Sequence, residues 1–551
     1  MHLFPDPVQD LPDGGLYMKE RSILKNKIYL YLTEFFAGVS VMAVELGASR
    51  LLAPYFSSSQ IVWTIIIGTI MIAMALGNLY GGKSADKNPD PDVLYRRILV
   101  AAVWIAAIPA VGKYIILGIS GLLIFTINTN FLIVAAFVSC MVLFVFPLFL
   151  LGTVTPSLVK YTVDSLDESG KTVGTMNACN TIGSILGTFL PTFVTIPAVG
   201  TSVTFLLFSG ILFLIGLIYF ISGRRFGKTC IITIVLFVLF SIFGRTDSFA
   251  FWEDDLLYES ESVYNYLQVK DEEDRTILAT NVLFGVQSVR MKNDDLTGMY
   301  YDYALAAPAM VYRGEAMDIL ILGNGTGTYA SQCLKYFPDS RVEGVEIDRK
   351  ITDLAGEYFA MPESVRVTEY DGRAWLQAAE GLYDVILVDA YQDITIPFQM
   401  SSREFFSLVR EHLKEDGVMV VNMNMHSDGE GSINQYLTDT ICTVFDFVSA
   451  VDVRGNTNRE LFACSGRDPA ERLASASVLP EDPAFRALMD TVCGSLAACE
   501  GQGHILTDDK APVEVLGMRM IDGLIADEVR YYKAIYERDG LQGILEDFGV
   551  N

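Results

Sequence analysis

One stretch in the second half of the chain decides its fold: Asp318-Ile-Leu-Ile-Leu-Gly323-Asn-Gly-Thr-Gly-Thr328. An apolar run of strand length leads directly into a turn with three glycines, where missing side chains let a ligand approach the backbone. Further apolar runs of strand length follow, spaced so that a helix fits between each pair. These runs are Val342–Val345, Arg366–Glu369, Val385–Val388 and Val418–Val421. Strands that alternate with helices predict a doubly wound α/β fold with a parallel sheet.

The segments on either side of this sheet follow different patterns. Upstream, short alternating runs separated by polar turns predict a small antiparallel β subdomain. Downstream, Phe445–Val453 and Glu460–Ser465 are expected to complete the sheet, the last one antiparallel, and Asp468–Asn551 is expected to be mainly helical. The predicted domains are a tail (1–27), a transmembrane helical domain (28–244), the β subdomain (258–315), a nucleotide-binding catalytic domain (316–465) and a C-terminal extension (466–551).

Acidic residues follow successive strands of the predicted sheet. Glu346 lies 23 residues beyond Gly323, and a carboxylate at that place can accept both hydroxyls of a ribose. Open α/β sheets bind ligands at the carboxyl ends of their strands, so these acids are expected to line one edge. The glycine spacing G-x-G-x-G favours S-adenosylmethionine-type chemistry over a dinucleotide. The acids after the next two strands are Asp371, which Gly372 follows, and then Asp389 and Asp393.

The composition of the chain separates its two halves. The 551 residues include 40 basic and 66 acidic side chains, which gives a net charge of −26. Although 51% of the residues are hydrophobic, only 19% are charged, against roughly 25% in an ordinary soluble domain. These values exclude a disordered chain, a disulfide mini-protein and a nucleic-acid binder with a strongly basic surface. The apolar surplus lies almost wholly before residue 245.

Six apolar runs in the first half are long enough to cross a bilayer, which needs about 20 such residues. They are, approximately, Ile28–Leu52, Ile61–Tyr80, Ile98–Val111, Phe131–Leu151, Val173–Val199 and Ser202–Ile221. Lys and Arg cluster in the N-terminal tail and in every second loop, so the tail and those loops are expected to be cytoplasmic. Glu34, Glu45 and Arg50 are expected to face the bundle interior, as an internal ion pair rather than a substrate path.

Two further apolar segments, Tyr114–Ile127 and Cys230–Phe243, have 14 residues each and are short for a crossing. Both are predicted not to span the membrane. Six spans then return the chain to the cytoplasm, where the catalytic half is expected to lie. Snorkelling of Lys228 and Arg245 would instead let the second segment cross as a seventh span and put everything downstream outside the cell. This alternative stays open.

The second half resembles the spermidine synthases, which are polyamine aminopropyltransferases with a Rossmann-like, methyltransferase-type fold. The family's glycine motif is matched by Gly323 to Thr328, its E-I-D by Glu346-Ile347-Asp348, its D-G by Asp371-Gly372, and its Y-D-V-I-x-V-D-x-x-D by Tyr383 through Asp393. Gln287 and Tyr301 fall where the family has a Gln and a Tyr upstream of the sheet. Residues 45–55, 77–86 and 506–512 resemble the membrane-fused branch of this family. The resemblance therefore covers most of the chain.

The resemblance implies a reaction and a role for each matched residue. An amine would attack a sulfonium carbon of decarboxylated S-adenosylmethionine, or of S-adenosylmethionine, as the co-substrate. Asp389 would be the catalytic residue that takes the proton of the amine, and Tyr301 and Asp393 would bind the acceptor substrate. The implied nucleotide-binding residues are Gly323, Gly325, Gly327, Glu346, Asp371, Gly372 and Gln287.

Two positions depart from the family pattern. The acid of the glycine loop, which helps to hold the aminopropyl amine of the donor, is Thr326 here. The family's Y-H-E, associated with the polyamine, reads Tyr301-Asp302-Tyr303. The nucleoside half of the site thus looks intact and the acceptor half altered. Two alternatives remain: a methyltransferase that uses S-adenosylmethionine, and a transporter-like membrane protein with a catalytically silent nucleotide-sensing domain.

The expected partners follow from these assignments. A multi-pass protein of the cell membrane has the lipid bilayer as a partner, and the transfer reaction needs a small amine substrate. A homodimer is left as an option, and no nucleic acid is expected because of the acidic charge. The eight Cys and four His show no metal-ligand spacing, so no metal site is expected.

Overall fold

The computed structural model describes residues 26–56, 59–124, 127, 130–162, 169–245, 248–249, 256–280, 286–391, 396–424, 429–520 and single positions between 523 and 540. The chain divides into two compact units. One consists of residues 1–56, 62–123 and 133–249, and the other of residues 57–61, 124–132 and 250–551. The predicted domain boundaries within these units stay predictions.

The first unit is helical. Its helices are α1 (Lys27–Phe56), α2 (Gln60–Lys87), α3 (Pro91–Leu123), α4 (Phe131–Gly152), α5 (Val154–Thr162), α6 (Ser169–Leu190), α7 (Ile196–Ser222) and α8 (Lys228–Phe243). Five described stretches are long and apolar enough to cross a membrane: Lys27–Phe56, Gln60–Lys87, Pro91–Leu123, Phe131–Thr162 and Ser169–Ser222. The last of these contains the final two of the six predicted runs.

The stretch Ser169–Ser222 contains two helices, α6 and α7, with a break between them. A π-helical turn at Pro191–Thr195 follows α6, and Gly200 leaves the helical conformation with φ 79° and ψ 169°. Along α1, Tyr29 donates to the carbonyl of Ile215 at 2.5 Å, and Ser40 donates to that of Phe208 at 3.3 Å. The residue farther along α1 contacts the residue that comes earlier in α7. Helix α7 therefore runs antiparallel to α1. The last two predicted runs, Val173–Val199 and Ser202–Ile221, therefore fall mainly on two separate helices, and that each of them crosses a membrane stays a prediction.

Helix α3 is longer than the sequence suggested. Residues 114–123, which were expected to form a separate non-spanning piece, continue the same 33-residue helix. Pro109 lies inside it. A proline within an apolar helix can be tolerated because neighbouring helices satisfy the freed backbone groups. The helix therefore continues past Pro109 to Leu123.

Helix α8 runs along α3 from one end of the helical unit toward the other. Just before α8, Arg225 forms an ion pair of 3.0 Å with Asp92, in the first turn of α3. Just after it, Lys113 of α3 donates to the carbonyl of Ser248 at 2.7 Å. The rise of α3 from Asp92 to Lys113 is about 32 Å at 1.5 Å per residue. That length is close to the roughly 30 Å of a bilayer core.

The buried acid of the helical unit is held by neutral donors. Glu34 is fully buried, and one of its carboxylate oxygens accepts from Thr155 at 2.6 Å and from Asn180 at 2.8 Å. Its interior position agrees with the expectation from the sequence. The expected ion pair is not what holds Glu34, because both donors are uncharged.

The second unit contains a small sheet and a large one. The small sheet has the antiparallel order β1 (Leu256–Glu261), β2 (Tyr266–Asp271), β3 (Arg275–Ala279), β4 (Ser288–Met291). The large sheet has eight strands: β5 (Asp318–Leu322), β6 (Arg341–Glu346), β7 (Arg366–Glu369), β8 (Tyr383–Val388), β9 (Leu413–Met423), β10 (Phe447–Asp452), β11 (Arg459–Cys464) and β12 (Ala497–Ala498). Its spatial order is β12-β10-β11-β9-β8-β5-β6-β7.

The helices of this unit lie between the strands along the chain, and apolar cores cover both faces of the large sheet. They are α9 (Tyr300–Ala304), α10 (Ala306–Val311), α11 (Thr328–Tyr336), α12 (Arg349–Tyr358), α13 (Gly372–Ala378), α14 (Arg403–Glu411), α15 (Ile433–Cys442), α16 (Pro469–Ala474) and α17 (Pro483–Ser495). Strands β5 to β9 pair in parallel, and β11 pairs antiparallel with both β9 and β10. The predicted α/β fold, with its small antiparallel subdomain, is confirmed.

Asp348 joins the small sheet to the large one. It caps α12 by accepting from the backbone of Lys350 at 3.1 Å, and it also accepts from the side chains of Ser262 and Asn265. The turn after β1 is thereby fixed to the end of β6. This contact brings the small sheet to the carboxyl edge of the large one.

Candidate active site

A cavity of about 250 Å³ lies at the carboxyl ends of the parallel strands. Its wall includes the following predicted site residues: Gln287, Tyr301, Gly323, Gly325, Glu346, Asp371, Gly372 and Asp389. Gly327 belongs to the same loop but is not part of this wall. Asp393 lies outside the described residues, so its predicted role stays untested. The sequence therefore brings most of the predicted residues to one place, because strand ends of a parallel sheet share an edge.

The glycine loop is packed against the strand that carries Asp389. Gly323 has a φ of 93°, a conformation that favours glycine, and a Cβ atom there would lie 2.4 Å from the carbonyl oxygen of Asp389. The next glycine, Gly325, donates its backbone N–H to the carboxylate of Glu346 at 2.9 Å. The loop is thus fixed on one side to Asp389 and on the other to Glu346.

Glu346 has a buried carboxylate that is oriented by backbone groups. Besides Gly325 it accepts from the backbone of Asp348 at 3.0 Å, and its side chain is only 7% exposed. Burial raises its pKa above the usual range. An ionised carboxylate offers about four acceptor sites, so two backbone bonds leave capacity toward the cavity. That capacity suits the paired hydroxyls of a ribose.

Asp371 has a structural role as well as a place in the cavity wall. Its carboxylate accepts from the backbone of Ala374 at 2.9 Å and caps α13. Arg373 in the same helix pairs with Asp508, with two nitrogen–oxygen distances of 2.7 Å. Asp508, in the 506–512 motif, therefore fixes α13, the helix that Asp371 caps.

Asp389 has the arrangement of a positioned base. Its two oxygens accept from the hydroxyl of Tyr300 at 2.6 Å and from the side-chain amide of Asn422 at 2.8 Å. Burial raises the pKa of Asp389 to about 7, and repulsion from Glu346 acts in the same direction. A group with a pKa near neutral is suited to accept a proton under physiological conditions.

The tyrosine that contacts Asp389 is Tyr300, which the sequence reasoning missed. Tyr301 also lines the cavity, but its hydroxyl accepts from the backbone N–H of Val289 at 2.9 Å and donates to the carbonyl of the same residue at 3.1 Å. Aligning the acid of the Y-H-E motif on Asp302 would have placed the motif's tyrosine at Tyr300. Asp302, the acid of this segment, was therefore the signal that could have shown how the Y-H-E motif aligns with this sequence.

Thr326 is not part of the cavity wall, whereas Thr328 is. Thr326 is buried, and its hydroxyl lies 3.2 Å from that of Thr328. Thr328 in turn donates to the carbonyl of Val289 at 3.0 Å. The position where the family has an acid thus holds a hydroxyl bonded within the loop.

Asn422 and Tyr391 complete the surroundings of Asp389. The hydroxyl of Tyr391 donates to the carbonyl of Asn422, and Asn458 donates to the side-chain oxygen of Asn422 at 2.8 Å. Asn422 lies at the end of β9, in no motif that the sequence revealed. Among the described residues, no cluster of three His, Cys, Asp or Glu side chains is arranged to hold a metal ion.

Comparisons with known proteins identify similar sequences. Residues 299–449 match the Spermine/spermidine synthase domain. Over 346 residues the chain is 54% identical to the probable polyamine aminopropyl transferase of Bifidobacterium longum (strain NCC 2705), a match that covers 60% of this chain and 77% of that protein. It is also 28% identical over 183 residues to the polyamine aminopropyltransferase of Vibrio vulnificus (strain CMCP6), covering 32% of this chain and 61% of that one.

A solved structure shows a partial likeness. The probable spermidine synthase from Corynebacterium glutamicum ATCC 13032 has 20% sequence identity and a TM-score of 0.35. The alignment covers 45% of this chain and 98% of that one.

Proposed function

The chain belongs to the polyamine aminopropyltransferase family of transferases, and from this premise we propose that it moves an aminopropyl group from decarboxylated S-adenosylmethionine to a small amine. The reaction takes place in a unit anchored to a lipid bilayer by the helices before residue 249. The observation that carries the proposal is Asp389, which two neutral donors hold at the cavity beside Glu346.

The chemistry assigns one task to each carboxylate. The nitrogen of the amine forms a bond to the propyl carbon next to the sulfonium, the carbon–sulfur bond breaks, and methylthioadenosine leaves as a neutral thioether. The attacking nitrogen must lose a proton, which Asp389 accepts. Glu346 binds the ribose hydroxyls and so holds the nucleoside in line with the amine.

Turnover by the full-length protein in detergent or nanodiscs tests this proposal. Decarboxylated S-adenosylmethionine labelled in the propyl group, together with 1,4-diaminobutane, should give a labelled triamine and one methylthioadenosine per transfer. Absence of both products, while the nucleotide still binds, would reject the transferase and support a nucleotide-sensing domain.

Thr326 favours one second candidate, a methyltransferase that uses S-adenosylmethionine. The donor's aminopropyl amine would lack the acidic partner that the family supplies at this loop position, since Thr326 is neutral and bonded within the loop. The same assay with methyl-labelled S-adenosylmethionine separates the two reactions, because the label then appears on the acceptor and the other product is S-adenosylhomocysteine.

The rate should depend on pH through the ionisation of Asp389. Because a base acts only when deprotonated, and the pKa of Asp389 is raised to about 7, activity is expected to be lost as the pH falls below 7. The slope of log kcat/KM against pH should therefore decrease by one unit at about pH 7. The profile of Asp389→Asn should have no break at this pH. A break that persists in the variant would assign it to another group.

We further propose that α8 crosses the membrane as a seventh span. The sequence led us to expect a six-span topology with the catalytic half in the cytoplasm, and that expectation is untested. The path of α8 along α3, between the contacts at Asp92 and at Lys113, supports the seven-span alternative. With the basic loops in the cytoplasm, residue 250 then emerges on the opposite side.

A reporter fused after Asn551 measures the side of the membrane directly. We expect a reporter that works only outside the cytoplasm to be active there. Activity of a cytoplasm-dependent reporter at the same position would restore the six-span topology. Since adenosyl sulfonium donors are made inside cells, an external site would also require that the donor be delivered across the membrane, so this result and the turnover assay are judged separately.

A further inference from the structure

Glu34 is a buried acid of the helical unit that the proposed transfer reaction does not use. Its side chain is fully buried, and Thr155 and Asn180 both donate to the same carboxyl oxygen, Oε1, at 2.6 and 2.8 Å. The other oxygen, Oε2, is also buried and has no hydrogen-bond partner among the described residues. A charged carboxylate among apolar helices is costly unless it is paired, so Oε2 calls for an explanation.

The basic side chains near this end of α1 do not neutralise Glu34. Within the described part of the chain, Lys160 of α5 pairs with Asp86 at 2.9 Å, and Arg225 pairs with Asp92 at 3.0 Å. Lys171, in the first turn of α6, is exposed. The other titratable groups that the packed helices bring to this region are a thiol and hydroxyls, which are neutral at physiological pH. They belong to Cys179, which lies near Glu34, and to Tyr29, Tyr95, Tyr161 and Tyr219.

The hydrogen bonds of Glu34 fit a neutral carboxylic acid. Such an acid has one oxygen that accepts hydrogen bonds and one that carries the proton. Oε1 accepts from two donors and so corresponds to the carbonyl oxygen. Oε2 then carries the proton, which needs no additional space beside the oxygen.

The packing of α1 against α6 leaves this proton accessible from one side. Glu34 lies seven residues from the start of α1, a rise of about 10 Å. Beyond Glu34 the two helices are in backbone contact. A Cβ atom at Gly183 would lie 2.1 Å from the carbonyl oxygen of Phe35, and one at Gly187 would lie 2.2 Å from that of Val39. These glycine contacts leave no room for water between the helices, so the proton can exchange only toward the N-terminal tail.

We propose that Glu34 is a proton-binding site of the helical unit, which takes up and releases its proton on the side of the N-terminal tail. The proton moves as H⁺ between Oε2 and water on that side, and no electrons are transferred. Thr155 and Asn180 hold Oε1 in both forms. A site of this kind gives the helices a function beyond anchoring, namely proton uptake, and it does not depend on the transfer reaction.

Infrared difference spectroscopy of the full-length protein in nanodiscs tests the site directly. The C=O stretch of a protonated carboxyl is separate from the bands of a carboxylate. The wild type should have such a band at low pH, and this band should shift in D₂O and disappear as the pH is raised. Glu34→Gln should lack it at every pH. Glu45→Gln, which changes another acid of α1, is the matched control and should retain it.

A second pair of variants covers the case in which Glu34→Gln does not fold. Thr155→Val and Asn180→Leu each remove one donor to Oε1, so each should move the C=O band to higher frequency. An unchanged frequency in both variants would contradict the assignment of Oε1 as the carbonyl oxygen of a protonated acid.

Other outcomes overturn the proposal in distinct ways. A band that persists at every pH and does not shift in D₂O would make Glu34 a closed structural acid. No band in sodium-containing buffer, with a band that appears when sodium is omitted, would assign the site to a metal cation. The side of access is measured in vesicles of one orientation with a buffered lumen. The band should follow the external pH when the tail faces outward and ignore it when the tail faces the lumen, and the reverse result would contradict access from the tail side.

Discussion

Replacing Asp389 with asparagine should lower kcat by about 10²- to 10⁴-fold, the usual cost of removing a positioned base. The amide keeps the shape of the side chain and can still bond to Tyr300 and Asn422, so the cavity wall should persist. An asparagine cannot take the proton of the attacking amine. The dissociation constant of methylthioadenosine, measured by calorimetry, should therefore change by no more than about twofold.

Asp353→Asn is a suitable control because Asp353 is an exposed acid on α12, outside the cavity wall. It should leave both kcat and nucleoside binding unchanged. Undiminished turnover in Asp389→Asn would move the role of base to another acid, with Asp393 as the next candidate. A parallel loss of turnover and nucleoside binding would instead assign Asp389 to the nucleoside.

Glu346→Ala should weaken binding of methylthioadenosine by about 10²-fold or more. Two ribose hydroxyls would lose charged hydrogen bonds, each contributing about 1.5–3 kcal/mol. The backbone groups of Gly325 and Asp348 would also lose their acceptor, so the glycine loop should become less ordered. Calorimetry with methylthioadenosine, S-adenosylmethionine and decarboxylated S-adenosylmethionine measures the loss for each form.

Glu343→Ala provides a matched comparison on the same strand. Glu343 accepts from the hydroxyl of Tyr383 at 3.0 Å and is not part of the cavity wall. It should lower the melting temperature slightly without affecting nucleoside affinity. If both variants lose affinity together with thermal stability, the loss reports unfolding. If neither loses affinity, Glu346 does not bind the ribose.

The sequence alone predicts those parts of the fold and of the site that depend on a local pattern of residues. The glycine turn after β5, the acid that ends β6 and the acid after β8 each follow an apolar run, and the ends of parallel strands must share an edge. Glu346 and Asp389 could therefore be placed in one cavity before any coordinates were known. The strands that alternate with helices likewise fixed the fold class, since few other arrangements bury such runs.

The parts that could not be predicted depend on pairing between distant segments. Asn422 reaches Asp389 because β9 pairs in parallel with β8, and Glu460 lies beside Asn422 because β11 returns antiparallel to β9. A shift of one residue in either pairing would turn these side chains to the other face. No local motif marks that register. In the helical unit, the continuation of α3 past Pro109 is decided by neighbouring helices rather than by the local sequence.

The contact between Gly323 and the Asp389 carbonyl has a consequence for enzyme engineering. Library designs that aim to change donor choice often vary the loop around a nucleotide, and position 323 looks like an obvious site because it begins that loop. Its missing side chain, however, makes room for the backbone of Asp389 rather than for the donor. Randomisation should therefore leave residue 323 fixed and concentrate on Asn324 and Thr328, which both line the cavity.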